Sequence, residues 1–206
     1  MPNENNKKIF NYLFNIIIFI PFFSYILGFY LDENSAGMGS SAGDITWIQS
    51  NINIFLQNDL LDAIFHPNLF GNRPPLIYIL NKFLNPFFSD FEKYRLVVFF
   101  ISLLGPIFFY KFLRIRFSET DRKLLFLLAS TIYLSPYYRT SGYWASNENY
   151  AIFSMILSFL FLEKFLKFEN KKILNIILVT FFSSLSLYFD QKFLIAPLVC
   201  FFSIIF

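Results

Sequence analysis

Most of the groups in this 206-residue chain that can move a proton or bind an anion fall in a few polar stretches. Asp32-Glu33 follows the first long apolar run. Asp44 stands twelve residues later, ahead of Ile45, Ile48, Ile52, Phe55 and Leu56 at helical spacing. A carboxylate held at a membrane surface is suited to act as general base toward a hydroxyl, or to ligate a divalent cation. A plainer reading makes Asp44 the N-cap of a helix starting at Ile45 and leaves Asp32-Glu33 as solvated charge. In Asn72-Arg73-Pro74-Pro75-Leu76, two prolines stiffen the backbone that carries Arg73. A guanidinium on such a turn matches phosphate oxygens with its planar fork; the plainer reading is a helix-entry turn with a surface arginine. His66, the single histidine, lies nearby with no second histidine to share a metal.

Two later stretches add candidates. Pro136 to Asn149 contains Arg139, Tyr143, Trp144 and Glu148. Its aromatic residues suit a membrane interface, and Glu148 suits the first turn of a helix, where the dipole favours an acid. Functionally, Glu148 would be a second acid facing a common cavity, with Arg139 beside it for phosphate. Asp190-Gln191-Lys192 is a solvated charge pair if it forms an outer turn, and a site if it lies deeper, because charge in hydrocarbon is costly. Lys192 would then hold a phosphate or pyrophosphate leaving group.

The elements that must position these groups are membrane helices. The chain is 56% apolar and 22% aromatic, against about 45–50% apolar in ordinary soluble domains. Its 32 Phe residues accompany abundant Ile, Asn and Lys, which share adenine- and thymine-rich codons, and Phe serves a lipid-facing surface as Leu does. One cysteine, Cys200, sits in an apolar run, so no disulfide framework or cysteine-based zinc site follows. A net charge of +3 does not imply nucleic acid. With no small-residue cleavage pattern after the first apolar run, that run reads as a signal anchor.

A hydrocarbon core needs about 20 apolar residues in a helix. Ile9 to Leu31, Tyr94 to Leu113, a short run from Leu124 to about Tyr138, Tyr150 to Phe168, and Ile173 to Phe189 are five such spans, and Phe193 to Phe206 begins a sixth. That last run has 14 residues, short of a span, so the chain reads as the N-terminal part of a larger protein. The predicted fold is all-α: one polytopic transmembrane domain over 1–206, with about six membrane helices.

Orientation follows from basic residues, which stay on the cytoplasmic side. With the N-terminus inside, 11 of 17 basic residues but only five of 14 acidic ones lie on the inner side. The long loop 31–95 is then extracytoplasmic. It is expected to hold two interfacial helices, one from Ile45 and one over Leu76 to Leu84 that ends near Asn85-Pro86. On the inner side, Ser118 and Asp121 stand at capping-box spacing ahead of the third span. All four polar features thus fall on one face, while the inner loops show ordinary basic flanks.

The order of these features resembles the membrane-embedded glycosyltransferases of the GT-C type, most closely glycosyltransferase family 39, the protein mannosyltransferase and aminoarabinose transferase group. Members carry a long outer loop after the first span, with an acidic motif, interfacial helices and a turn of the type Pro-Pro-Leu-x-Tyr. The matching residues are Asp32-Glu33 or Asp44, the helix from Ile45, and Pro74-Pro75-Leu76-Ile77-Tyr78. Ser146-Asn147-Glu148-Asn149-Tyr150 resembles the place of a further acid, and Lys192 a basic residue near the end of the fifth span. The chain departs from the pattern by an insert over 35–43 and by its length, since members are much longer and carry more spans.

The resemblance implies transfer of a sugar from a polyprenyl-phosphate donor to a lipid, glycan or protein acceptor, with inversion, at a multi-pass protein of the bacterial inner membrane. In that reading Asp44 is the preferred base and Asp32, with Glu33, the alternate. Arg73, Arg139 or Lys192 meets the charge of the departing phosphate, and Glu148 is a second acid. No cofactor is required, although a divalent cation between Asp44 and Glu148 is compatible with the residue types. The rival readings are a non-catalytic scaffold or transporter-like fragment handling lipid-linked sugars, an inactive relic, and an O-antigen polymerase or ligase. Transporters use polar or broken helices at the midplane, and these spans carry only scattered Ser, Asn and Gly105-Pro106. Polymerases and ligases of that kind would use a later large loop that this chain lacks.

Overall fold

The computed structural model describes residues 4–34, 38–69 and 75–206, with side chains over 16–34, 44–69 and 75–206. The described residues are helical and contain no strand. In chain order the helices are α1 (Glu4–Tyr30), α2 (Met38–Gln57), α3 (Leu60–Ile64), α4 (Leu76–Leu84), α5 (Phe91–Arg116), α6 (Arg122–Ser130), α7 (Pro136–Tyr143), α8 (Glu148–Lys167), α9 (Lys172–Phe189) and α10 (Ile195–Ile205). Short 3₁₀ turns, Thr131–Leu134 and Gln191–Leu194, precede α7 and α10.

Three helices, α5, α8 and α9, are long and apolar enough to cross a membrane. Ile16–Tyr30 and Gln191–Ile205 are shorter apolar helices. The run from Leu124 to Tyr138, expected as a third span, is broken. Regular helix stops at Ser130, a 3₁₀ turn follows, and Ser135 turns extended (ψ 120°) before Pro136. The steric demand of a proline on the residue before it explains the break, and Pro136 then opens α7 where its missing N–H costs nothing.

Local chemistry sets the other boundaries. The carboxylate of Asp121 accepts the N–H groups of Lys123 (2.8 Å) and Leu124 (3.1 Å). Asp121 is therefore the N-cap of α6, and the capping box expected from Ser118 is displaced by three residues. Asp90 caps α5 through the N–H of Lys93. Helix α4 spans the expected residues. Helix α2 starts at Met38, upstream of the expected Ile45, because no proline interrupts 38–57 and the backbone ladder continues past the apolar repeat. Asp44 therefore lies inside this helix and is not its N-cap. Helix α3 is a third helix in a loop expected to hold two.

Helix α8 packs along α9 and α5, α10 lies against α8 and α9, and α1 lies against α6 and α7. Ser154 and Ser158 on α8 and Ser183 and Ser186 on α9 are buried. Small residues let helix backbones approach closely in lipid. Their hydroxyls are satisfied locally: those of Ser158, Ser183 and Ser186 donate to the carbonyls of Met155, Thr180 and Ser183. At the basic end of the bundle, Lys167 Nζ donates to the carbonyls of Ile115 (2.5 Å) and Arg116 (3.0 Å). A cation thus meets the negative end of the α5 dipole, and buried Glu163 holds Arg116 at 3.2 Å.

A proline in α5 fixes α7 at the opposite end. Pro106 has no N–H, so the carbonyl of Ser102 loses its helical partner. Tyr138 Oη donates to that carbonyl at 2.5 Å, and Gly105, where a Cβ would collide with the phenol, admits the ring. Tyr25, Phe99, Tyr133, Tyr138 and Tyr143 form one aromatic cluster around this contact. Tyr25 and Ser102 share a hydrogen bond of 2.6 Å, and Tyr143 Oη donates to the Tyr25 carbonyl at 2.7 Å. Gly142 leaves room for the Tyr25 hydroxyl.

Candidate functional site

The end of the bundle that holds residues 31–34, 90–95, 136–148 and 189–192 carries most of the sequence-derived candidates. Asp32-Glu33 ends α1 in a left-handed turn. Asp32 has φ 50°, its N–H donates to the Phe29 carbonyl (3.2 Å), and the Glu33 N–H donates to the Gly28 carbonyl (2.9 Å). These are the two bonds of a Schellman cap, with Asp32 in the position usually given to glycine. The turn aims two carboxylates at two arginines from other helices.

Arg95, in the first turns of α5, donates to Asp32 Oδ1 at 2.7 Å, to Glu92 Oε2 at 2.9 Å and to the Tyr143 carbonyl at 2.8 Å. Its guanidinium lies 4.5 Å from the Trp144 ring centroid. Arg139, on α7, grips both oxygens of Glu33, with Nε to Oε1 at 2.8 Å and Nη2 to Oε2. It also donates to the carbonyls of Ser24 (3.0 Å) and Tyr133 (3.1 Å). Trp144 Nε1 donates to the Glu33 carbonyl. Gly28 makes this possible, since a Cβ there would overlap the Arg139 guanidinium, the Glu33 carboxylate and the Tyr143 hydroxyl. The hydrogen bonds that Arg139 donates to Glu33 raise its pKa, and burial raises that of the Tyr143 phenol. Glu33 and Arg139, expected to act as acid and as phosphate ligand, are thus brought together as one ion pair.

A second constellation lies where α8 begins and α9 ends. Lys192 Nζ is 3.5 Å from Glu148 Oε1 and 3.6 Å from Asp190 Oδ2. Both acids are buried and the lysine side chain is 58% exposed. Asp190 also accepts the Lys192 N–H at 2.9 Å, closing the 3₁₀ turn. The stretch is therefore a turn with a buried acid and an outward-reaching lysine. Two carboxylates on one ammonium leave the cluster with an excess negative charge, suited to accept hydrogen bonds from hydroxyls and less suited to hold a phosphate. Nearby, the fully buried Tyr94 hydroxyl has no hydrogen-bond partner among the described residues.

Asp44 is one helical turn from Ile48. Ile48 belongs to the apolar cluster that contains Tyr94, Ala145 and Phe189, against which Phe193 packs. Helix α2, which carries Asp44, packs on α3 and α4, and α4 in turn touches α9. No side-chain hydrogen bond or ion pair links Asp44 to another described residue. Arg73 lies outside the described residues. His66 accepts the N–H of Asn68 at its Nδ1, which holds a local turn.

Comparisons with known proteins return nothing: no family model, curated protein or solved structure matches the chain. Of the two acids named for a divalent cation, Glu148 faces the ammonium of Lys192.

Arg95, Glu92 and Asp190 are the residues of this end that sequence reasoning left without a role or without a depth. A signal existed for Asp190, since an acid beside a lysine between two apolar runs is costly to place in hydrocarbon. The Asp32–Arg95 contact spans 63 residues and leaves no mark in local spacing.

Proposed function

We propose that this chain takes part in sugar transfer from a polyprenyl-phosphate donor at the extracytoplasmic face of a bacterial inner membrane, in the manner of GT-C glycosyltransferases. What supports the reading is the pair of buried acids, Glu148 and Asp190, gathered on Lys192 at the end of the bundle that also holds residues 31–34. Asp44, not committed to an ion pair with a described residue, is the base that takes the proton from the acceptor hydroxyl. As that oxygen attacks the anomeric carbon, the bond from this carbon to the phosphate oxygen breaks and configuration inverts. Glu148 and Asp190, held by Lys192, accept hydrogen bonds from sugar hydroxyls. Arg73 meets the charge growing on the leaving phosphate. Glu33 and Arg139, bound to each other, brace the end of α1.

The charge bias supports this orientation, with Lys111, Arg114, Arg116, Arg122, Lys123, Lys164 and Lys167 at the opposite end. In the six-span layout, α1, the broken α6–α7 segment and α10 complete the bundle begun by α5, α8 and α9. One observation favours a second reading, a non-catalytic scaffold: Arg95, Arg139 and Lys192 are all already held by carboxylates. Binding of radiolabelled polyprenyl phosphate to the purified protein separates the two. The transferase reading expects Arg73→Ala to weaken binding about tenfold, the worth of one charge-assisted contact, and Asp44→Asn to leave it unchanged. Equal binding by both variants and the wild type supports the scaffold.

A further inference from the structure

At the basic end of the bundle, away from the proposed transfer site, α1, α5 and α6 enclose a groove with two compartments. The larger, about 340 Å³, is walled by Phe19, Phe22 and Phe23 of α1, Ile107 of α5, and Phe126 and Tyr133 beyond it. The smaller, about 260 Å³, is lined by Ile18, Tyr110, Arg122 and Lys123. Both share Phe19 and Phe126, whose rings stand 5.8 Å apart at the junction. The groove is thus amphipathic along its length, with hydrocarbon at one end and two cations at the other.

Neither Arg122 nor Lys123 is paired with an acid among the described residues. The nearest carboxylate in sequence, Asp121, is occupied in capping α6. Arg114 adds a third cation, 3.4 Å from the Tyr110 hydroxyl that lines the same compartment. The groove's rims, Ile16 and Ile20 on α1 and Leu124 and Leu128 on α6, are exposed and apolar, as a surface facing lipid tails would be.

The dimensions select the occupant. From Arg122 to Tyr133 the chain rises roughly 16 Å, taking 1.5 Å per helical residue. That is about half of a ~30 Å hydrocarbon core, or one leaflet. We infer that this groove holds an anionic phospholipid of the adjacent leaflet. Its phosphate lies on Arg122 and Lys123, and one acyl chain runs past the Phe19–Phe126 pair toward Tyr133. A lipid bound here wedges α1 and α6 against α5, at the end where α6 is short and its continuation is broken.

Native mass spectrometry of the purified full chain, titrated with equal amounts of palmitoyl-oleoyl phosphatidylglycerol and phosphatidylethanolamine, tests the site. The wild type is expected to retain phosphatidylglycerol at least fivefold over phosphatidylethanolamine. Arg122→Gln with Lys123→Gln, both exposed side chains, is expected to abolish that preference. Ile107→Trp, which places bulk in the apolar limb from a half-exposed position, is expected to lower retention of both lipids with the cations intact. Equal retention of the two lipids by the wild type, or an unchanged preference in the double variant, overturns the proposal. Undiminished retention in Ile107→Trp overturns the acyl groove.

Discussion

The carboxylate of Glu33 and the guanidinium of Arg139 meet as a two-point ion pair across 106 residues of sequence, tying the end of α1 to α7. The arginine side chain is buried and the glutamate is about one-third exposed. Removing one partner of a fully buried pair costs about 3–5 kcal/mol, and the partial exposure of Glu33 reduces this to about 2 kcal/mol for Arg139→Ala. For a chain of this size that corresponds to a fall of about 4–8 °C in melting temperature. A double-mutant cycle with Glu33→Gln and Arg139→Gln should give a coupling of at least about 1 kcal/mol. Additivity within about 0.5 kcal/mol, as found for independent sites, would mean that the two groups do not support each other.

Asp32 makes a separable prediction, because its backbone and its carboxylate do different things. A non-glycine residue in the left-handed region carries a cost of about 1–2 kcal/mol, which Asp32→Gly relieves. The same change removes the contact with Arg95, in which Asp32 is 64% exposed, and such exposed pairs contribute about 0–1 kcal/mol. Asp32→Gly should therefore be neutral to slightly stabilising, while Asp32→Val, strained at positive φ and without charge, should lower the melting temperature. Measured melting temperatures in the opposite order would refute the cap assignment.

Tyr138→Phe isolates the bond that replaces the one lost at Pro106. It leaves the Ser102 carbonyl buried without a donor, a loss of about 1–3 kcal/mol. Pro106→Ala in the same background returns the helical N–H and should recover most of it. Thermal unfolding of the single and double variants gives the answer, and an absence of recovery would show that Tyr138 acts through packing alone.

The long helices α5, α8 and α9 and the short α4 were legible in the sequence, because apolar runs of sufficient length and the Pro75 and Asn85-Pro86 boundaries act locally. The break after Ser130 had its signal in Ser135-Pro136, but the continuing apolar run outweighed it. Asp44 was misplaced as a cap because the apolar repeat begins at Ile45 while the helix begins at Met38, where small polar residues carry no periodicity. The pairing of Asp32 with Arg95 and of Glu33 with Arg139 was not legible at all. Acids after an apolar run look the same whether they cap a helix, bind a cation or take a proton, and only the positions of helices far along the chain decide between these.

The role of Asp44 as general base is open to a transfer assay. The purified protein in liposomes would be given a polyprenyl-phosphate donor with a radiolabelled sugar, together with membrane extract as the source of acceptor. Label leaving the lipid fraction would then be followed for the wild type and for Asp44→Asn. A positioned general base contributes about 10²- to 10⁴-fold, so the wild type should transfer and the variant should lose at least about a hundredfold in rate, with melting temperature and polyprenyl-phosphate binding unchanged. Wild-type release no faster than in protein-free liposomes, or equal rates for the two proteins, would contradict that role.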